Sequence, residues 1–332
     1  MSLKNLKQYE AYFYRAPSAH NTQPWILRYE DDVIFLHFDQ ERTLPAGDPT
    51  NRDLFLSLGA FVETVLIVGA HFGQGLEFIS GLDPDRCSVG SFRRSTQIYS
   101  TPFTIEDIQN RQTSRLVYKE GGLDSQILEE LRPQIRPFEI HGVKSKPLID
   151  LFRISDDYIY HKIPVLKELR RWIRLSKKDP RYFKDGLNAE CLGLDGLQAF
   201  LFDGILKSLE SGFGQRLKAD LLLTNSTYNI MEGNCDVLLL IGPSGGNPVA
   251  LEGGRQLQKI WLSLSQKGYF THPISQIIDC PKTYDLLQGR IHLEKSRQIF
   301  SIFRVGRSEK PTRSYRLIGK IRTFCISTGT SI

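Results

Sequence analysis

Ala16-Pro17-Ser18-Ala19-His20-Asn21-Thr22-Gln23-Pro24-Trp25 is the stretch from which the fold of this chain is read. It is polar in the middle and closed by Pro24 and Trp25. An amphipathic helix is expected before it, over residues 3–15. An alternating strand is expected after it, Trp25 to Tyr29, then a turn at Glu30-Asp31-Asp32 and a second strand, Val33 to Phe38. A polar loop between a helix and a hairpin can bring side-chain amides, a hydroxyl and backbone N–H groups to a planar polar ligand. Its two prolines fix φ and lower the entropy cost of ordering it.

Further along, Asp48-Pro49 starts a turn, and Thr50 or Asn51 can cap a helix over residues 52–72. Leu54, Leu58, Phe61, Val65, Val68 and Phe72 recur at three- and four-residue spacings, and Gly73 is a natural stop. A second long helix is expected over 250–268. Gly59 and Gly73 are 14 residues apart, as are Gly254 and Gly268. Each pair brackets an apolar helix followed by a strand-like segment, the pattern of one unit present twice. Residues 76–80, 95–100, 138–143, 235–242 and 297–305 read as strands. Helices are expected over 125–135, 146–156 and 164–176. Residues 177–207, punctuated by Gly186, Gly193, Gly196 and Gly204, read as an irregular excursion; composition fits a lid and a plain surface insertion equally.

The 332 residues suffice for one or two domains, and 40% hydrophobic with 24% charged residues is ordinary for a globular protein. No unbroken apolar run reaches the roughly 18 residues that span a bilayer, and no signal peptide is read, so a cytoplasmic protein without a membrane partner is expected. Five scattered cysteines without CxxC spacing indicate thiols in a reducing compartment, with neither a disulfide frame nor a metal site. The net charge of +6 permits attraction to anions. The basic run from Lys167 to Arg174 has helical spacing with apolar partners, which suits a solvated helix face rather than nucleic acid. A helix opened by Thr104, with Glu106 and Asp107 in its first turn, is expected to carry Arg111, Thr113 and Arg115. Two arginines four apart, with hydroxyls between them, can grip a phosphate dianion.

The pattern P-S-x-x-N-x-Q-P-W (Pro17, Ser18, Asn21, Gln23, Pro24, Trp25) resembles the flavin-contacting loop of the FMN-dependent nitroreductase superfamily. The form APSAHNTQPW near the N-terminus is most similar to its Acg-type branch, in which one chain holds two nitroreductase halves. Arg111-Gln112-Thr113-Ser114-Arg115 resembles the R-x-S-x-R signature that binds the FMN phosphate. The resemblance implies an α+β, nitroreductase-like fold: two tandem half-units forming an intrachain pseudo-dimer, with mixed, mainly antiparallel sheets flanked by helices. The halves would be residues 1–103 and 104–332, the second carrying a lid at about 177–207. It also implies one FMN. Pro17, Ser18 and Asn21 would contact the ring or ribityl chain, and Pro273, Ile274 and Ser275 would lie near N5. Arg111, Thr113 and Arg115 would hold the phosphate, with Arg313, or Arg316 or Lys310, on its other side. No catalytic side chain stands out; His20 and His272 flank the expected site and could move a proton.

The expected function is an FMN-dependent oxidoreductase acting on a small organic substrate, with NAD(P)H or oxygen as partner, as a monomer or homodimer. The alternative is a catalytically weak protein that holds or sequesters FMN under a lid.

Overall fold

The computed structural model describes residues 2–119, 121–211, 214, 230–231, 233 and 235–317. Its architecture is α+β, with two four-stranded antiparallel sheets around a central pair of long helices. The first sheet has β1 (Trp25–Tyr29), β2 (Val33–Phe38), β3 (Leu76–Asp83) and β4 (Ser88–Arg94), in the order β1-β2-β4-β3. Between β2 and β3 runs α2 (Arg52–His71); the single-turn α1 (Glu10–Phe13) comes ahead of the sheet. The second sheet has β5 (Glu139–Lys144), β8 (Asp236–Pro243), β9 (Phe270–Pro273) and β10 (Arg297–Gly306), in the order β5-β8-β10-β9. Its long helix, α9 (Gly246–Gln266), lies between β8 and β9. Both sheets therefore follow one topology: strand, strand, long helix, strand, strand, with the last strand inserted second from the edge.

The helix pair shows why the glycines recur. A Cβ on Gly59 would lie 1.9 Å from the carbonyl oxygen of Leu251, and one on Gly254 would lie 2.1 Å from that of Leu56. Gly59 and Gly254 are 195 residues apart, and so are Leu56 and Leu251, so the contact is reciprocal, as at a two-fold axis. A polar pair lies one turn on. Gln258 donates to Thr64 (3.1 Å), and Lys259 lies 3.8 Å from Glu63. Glu63 is wholly buried, and Tyr99 and Arg255 hydrogen-bond it as well. Close backbone approach here requires residues without side chains.

α2 is long and apolar enough to cross a membrane, with a mean hydropathy of 1.8 over 18 residues, but 89% of that window is buried inside the protein. It is thus a core helix, its apolar positions distributed all round it. Asp48 caps it, accepting from the Leu54 N–H at 2.9 Å, whereas Asn51 stands at left-handed φ without a side-chain cap bond. Gly73 follows at φ +67°.

Several expected elements differ. Residues 3–15 are mostly a 3₁₀ helix, Leu3–Tyr9, with the short α1 after it. Residues 95–100 form no strand; β4 precedes them and pairs with both β2 and β3. α3 (Ile105–Asn110) opens with the Thr104–Asp107 capping box but ends before Arg111. Residues 111–115 instead lie extended beside β9, with Ser114 N–H donating to Thr271 O at 3.2 Å and Thr113 bridged to Thr271. The two arginines therefore reach the site from an extended segment rather than a helix face.

α4 (Ser125–Leu131) precedes β5, and α5 (Ile149–Tyr160), α6 (Ile163–Trp172) and α7 (Ala189–Leu192) follow it. The expected excursion 177–207 is irregular only in its first part. Asp195 and Gln198 make a reciprocal capping box that opens α8 (Gly196–Glu210). Before it, β6 (Ile173–Arg174) and β7 (Leu187–Asn188) form a two-stranded parallel sheet. α10 (Gln276–Asp279) and α11 (Pro281–Arg290) complete the described helices.

Candidate functional site

The opening loop is held in a strained form. His20, Asn21 and Gln23 all have positive φ, at 46°, 54° and 52°. Each such residue costs on the order of 1 kcal/mol, so the surroundings must impose the conformation. Ser18 Oγ accepts from the Gln23 N–H at 2.9 Å, and Ala19 N–H donates to Ser57 Oγ on α2 at 3.1 Å. The Asn21 amide donates to Gly186 O (3.0 Å) and Tyr315 O (3.1 Å). Gln23 donates to Lys184 O at 3.0 Å and accepts from the Leu317 N–H at 2.8 Å. Trp25 stacks on Phe61 of α2 with ring centroids 4.6 Å apart. Gln23 and Trp25 are buried and hold the loop, while Pro17, Ser18 and Asn21 face a cavity.

That cavity has a volume of about 60 Å³. It is lined as well by Arg111, Thr113 and Arg115, by Leu187 and Cys191, and by Thr312, Ser314 and Arg316. Arg15, two residues before Pro17, completes the wall. Thus Pro17, Ser18, Asn21, Arg111, Thr113, Arg115 and Arg316 meet at one place. Pro273, Ile274 and Ser275 do not line it. Ile274 is wholly buried, its N–H bonded to Ile302 O, and Ser275 O accepts from the Ile278 and Asp279 N–H groups of α10. Arg313 is exposed and donates to Gln109 O, and Lys310 borders a separate cavity beside Tyr269.

The electrostatics are one-sided. Arg111 is 4% exposed, and its Nε and Nη1 have no partner. Arg316 is 8% exposed with Nε unpartnered, and Arg15 Nε is unpartnered too. Their remaining bonds go to neutral groups: Arg15 to Ser314 O, Arg115 to Cys191 O, Arg316 to Ser314 and Tyr315 O. Among the described residues no carboxylate pairs with any of the four. Burial first, then the Arg15 charge, pushes Arg111 down to about 9. Burial first, then Arg313, pushes Arg15 down to about 10. Arg316 lies well below its usual range, by burial and then by Arg15 and Arg111. Buried cations without counter-ions are costly unless a ligand supplies the charge. The donor set is that of a phosphate or carboxylate receptor.

Both candidate histidines are neutral at physiological pH. Burial pushes His20 down to about 4, and its Nδ1 is enclosed without a partner. His272 is driven well below its usual value by burial and then by Arg304, which donates to its Nδ1 at 2.9 Å. Neither is a ready cationic acid.

Arg15 and Cys191 are site residues that no sequence motif singled out. Arg15 carried a signal, a basic residue adjoining the loop; Cys191 carried none.

No family model matches the chain. An uncharacterised protein of Mycobacterium tuberculosis is 24% identical over 310 residues, covering 88% of this chain and 83% of that one. Two provisionally named NAD(P)H nitroreductases of the same organism match shorter stretches. One, acg, is 39% identical over 59 residues, 18% of each chain. The other is 35% identical over 78 residues, 23% of each chain. Among solved structures, the FMN-dependent nitroreductase NfnB of a Sphingopyxis strain aligns at 15% identity over 66% of this chain and 98% of its own, with a TM-score of 0.39. NfnB from Mycobacterium smegmatis, solved with NADPH, aligns at 14% over 61% and 86%, with a TM-score of 0.37. The two short sequence matches are thus to proteins provisionally named nitroreductases.

Proposed function

We propose that this chain is an FMN-binding oxidoreductase of the nitroreductase kind, acting on a small organic substrate with NAD(P)H or oxygen as redox partner. The observation that carries the reading is the cavity where Pro17, Ser18 and Asn21 meet four arginines lacking carboxylate partners. Arg111, Arg115, Arg15 and Arg316 would hold the phosphate, with Thr113 adding a hydroxyl. Pro17, Ser18 and Asn21 would border the ribityl chain and the near edge of the ring. Pro273, Ile274 and Ser275, outside the cavity lining, would act through their backbone groups. The donor set fits a phosphate dianion.

When bound, FMN supplies hydride or electron transfer at its N5. The chain's part is to bind the phosphate, orient the ring through the strained loop, and exclude water beneath the cover. His20 and His272, both neutral, would act as hydrogen-bond donors or proton relays rather than as cationic acids. In this reading residues 1–103 and 104–332 are the two halves of a pseudo-dimer, and the lid lies within 177–207. The site is composite within one chain, so a monomer would suffice and a homodimer would add no site. A cytoplasmic, reducing location suits the free thiols.

A second reading, a protein that holds FMN with little turnover, is favoured by the bonds of Lys184, Gly186, Tyr315 and Leu317 to the loop, which close the site from two sides. The visible spectrum of the purified protein, then FMN titration by fluorescence, tests the cofactor. Anaerobic addition of NADH or NADPH separates the readings: bleaching supports the enzyme, and an oxidised spectrum that persists supports the holding protein. A protein that neither carries nor binds FMN overturns both.

A further inference from the structure

The carboxylate of Asp185 is fully buried and receives three guanidinium groups. Arg42 Nη2 lies 3.0 Å from Oδ2, Arg174 Nη2 3.2 Å from Oδ1, and Arg181 Nη2 2.6 Å from Oδ2. Beneath them is the ring of Trp172, 1% exposed, with Arg42, Arg174 and Arg181 at 5.7, 5.8 and 5.2 Å from its centroid. Two further carboxylates share the charge: Asp39 lies 3.5 Å from Arg42, and Asp179 lies 3.8 Å from Arg174. The cluster is well compensated, unlike the arginines of the cavity.

Its members come from separate parts of the chain. Arg42 follows β2 in the first sheet's half. Trp172 ends α6, and Asp185 lies in the covering segment. Arg42 also reaches the strained loop directly, since its Nη1 donates to Thr22 O. The next residue after Asp185 is Gly186, at φ +73°, where a Cβ would come within 2.4 Å of Trp172 O. That turn aims the backbone of Gly186 at Asn21. Gly186 N–H donates to Asn21 O at 3.2 Å, and the Asn21 amide donates back to Gly186 O at 3.0 Å. One carboxylate is thereby joined to the loop twice, through Arg42 to Thr22 and through Gly186 to Asn21.

We infer that Asp185 is a positioning residue: it fastens the cover, residues 173–192, to the ligand loop and keeps that loop in its left-handed, strained form. Within residues 18–23 the bonds are Asn21 N–H to Ser18 O (3.0 Å), Thr22 N–H to Ala19 O (3.0 Å), Gln23 N–H to Ser18 Oγ (2.9 Å) and a long one, 3.4 Å, from the Gln23 amide to Asn21 O. At about 1 kcal/mol each these only roughly match the cost of three residues at positive φ, so the bonds from outside the loop decide its form. Asp185 therefore sets how fast a ligand enters and leaves the cavity. This last consequence rests on the flavin reading; the coupling of cover to loop does not.

The test uses the full chain with Asp185→Asn and, because that change leaves buried arginines without their partner, the milder Arg181→Gln at a half-exposed member. Hydrogen–deuterium exchange on the ligand-free protein is read at peptides covering 18–23, 184–189 and, as a reference, β1 and β8. Residues 18–23 and 184–189 should gain exchange together, at least ten-fold in Asp185→Asn and less in Arg181→Gln, with β1 and β8 unchanged. Trp172 adds a signature, since its emission should shift when the guanidinium groups leave its face. The FMN release rate, followed by fluorescence on dilution, should rise at least ten-fold in Asp185→Asn. Loosening of 184–189 with 18–23 unchanged in both variants would overturn the inference. If Asp185→Asn does not fold, Arg181→Gln decides by the same two peptides. If the wild-type chain binds no FMN, the flavin reading fails while the exchange result still decides the coupling.

Discussion

Replacing Arg111 by methionine should make the ligand-free protein more stable and its anion affinity worse. Arg111 is 4% exposed, two of its nitrogens are unpartnered, and its pKa is held down to about 9. Its charge is destabilising in the empty site. Exchanging buried ionic groups for apolar ones of similar volume often gains about 1–4 kcal/mol. The guanidinium also lies 5.7 Å from the Trp261 ring, a contact worth about 0.5–1 kcal/mol that methionine recovers in part through its sulfur. The net expectation is a gain of about 1–3 kcal/mol, near 2–4 °C in Tm for a chain of this size. On the ligand side, a charge-assisted bond to phosphate is worth about 1.5–3 kcal/mol, so FMN affinity should fall about 10- to 150-fold. Thermal unfolding without ligand and fluorescence titration with FMN measure the two quantities. A variant that is less stable with unchanged FMN affinity would refute the argument, because Arg111 would then be a structural cation.

The reciprocal helix contact predicts that Gly59→Ala and Gly254→Ala each cost about 3 kcal/mol, since each Cβ meets a carbonyl oxygen near 2 Å; one variant silent in urea unfolding would break the symmetry argument. Asp48 is pushed up to about 7 by burial and then by Asp53. Its folded pKa exceeds the unfolded value near 4, so its ionisation costs the fold nothing below pH 4 and progressively more as pH rises to 7. Asp48→Asn, which keeps an acceptor for the Leu54 N–H, should therefore gain stability relative to wild type as pH rises through that window. Equal urea midpoint differences at pH 5 and pH 8 would contradict this. Flavin released by heat should amount to one FMN per chain, and a ratio near two would falsify the composite single site.

The parts legible in the sequence are those fixed by local pattern. The β1–β2 hairpin, α2 and β10 follow from alternation and three-to-four spacing, and the glycine repeat points to the helix crossing without any knowledge of contacts. What stayed hidden depends on tertiary bonding. Residues 111–115 follow a well-capped helix, but their hydrogen bonds go to Thr271, so the helix ends at Asn110. β4 reads Ser88-Val89-Gly90-Ser91-Phe92, and the two small residues among its apolar positions hide a strand held on both edges by its neighbours. The Asp195–Gln198 box is a visible start signal for α8, masked by the glycines around it. In the site, the loop and the two arginines are legible as residue types, whereas Arg15 and Cys191 come to line one cavity only in the folded chain.

The two halves share a topology but differ at the ends of their elements, and the difference bears on why one site would form. In the first half a three-residue turn, 30–32, joins the first two strands, and a long connection, 39–51, leads into α2. In the second half the turn is replaced by residues 145–235, while the connection into α9 shrinks to 244–245. The long first connection carries Arg42, which holds Thr22, and Asp48, which caps α2. A two-residue connection has no place for either. The large second insertion supplies Asp185, which takes Arg42, and Gly186, which bonds Asn21 of the first half's loop. A loop with three residues at positive φ survives only where such bonds hold it. Ahead of β5, at 136–138, Phe138 turns inward, against Phe300 and the backbone faces of Gly242 and Gly253. Among the described residues nothing at 136–138 repeats the positive φ angles of 20–23, which is why we propose one site rather than two.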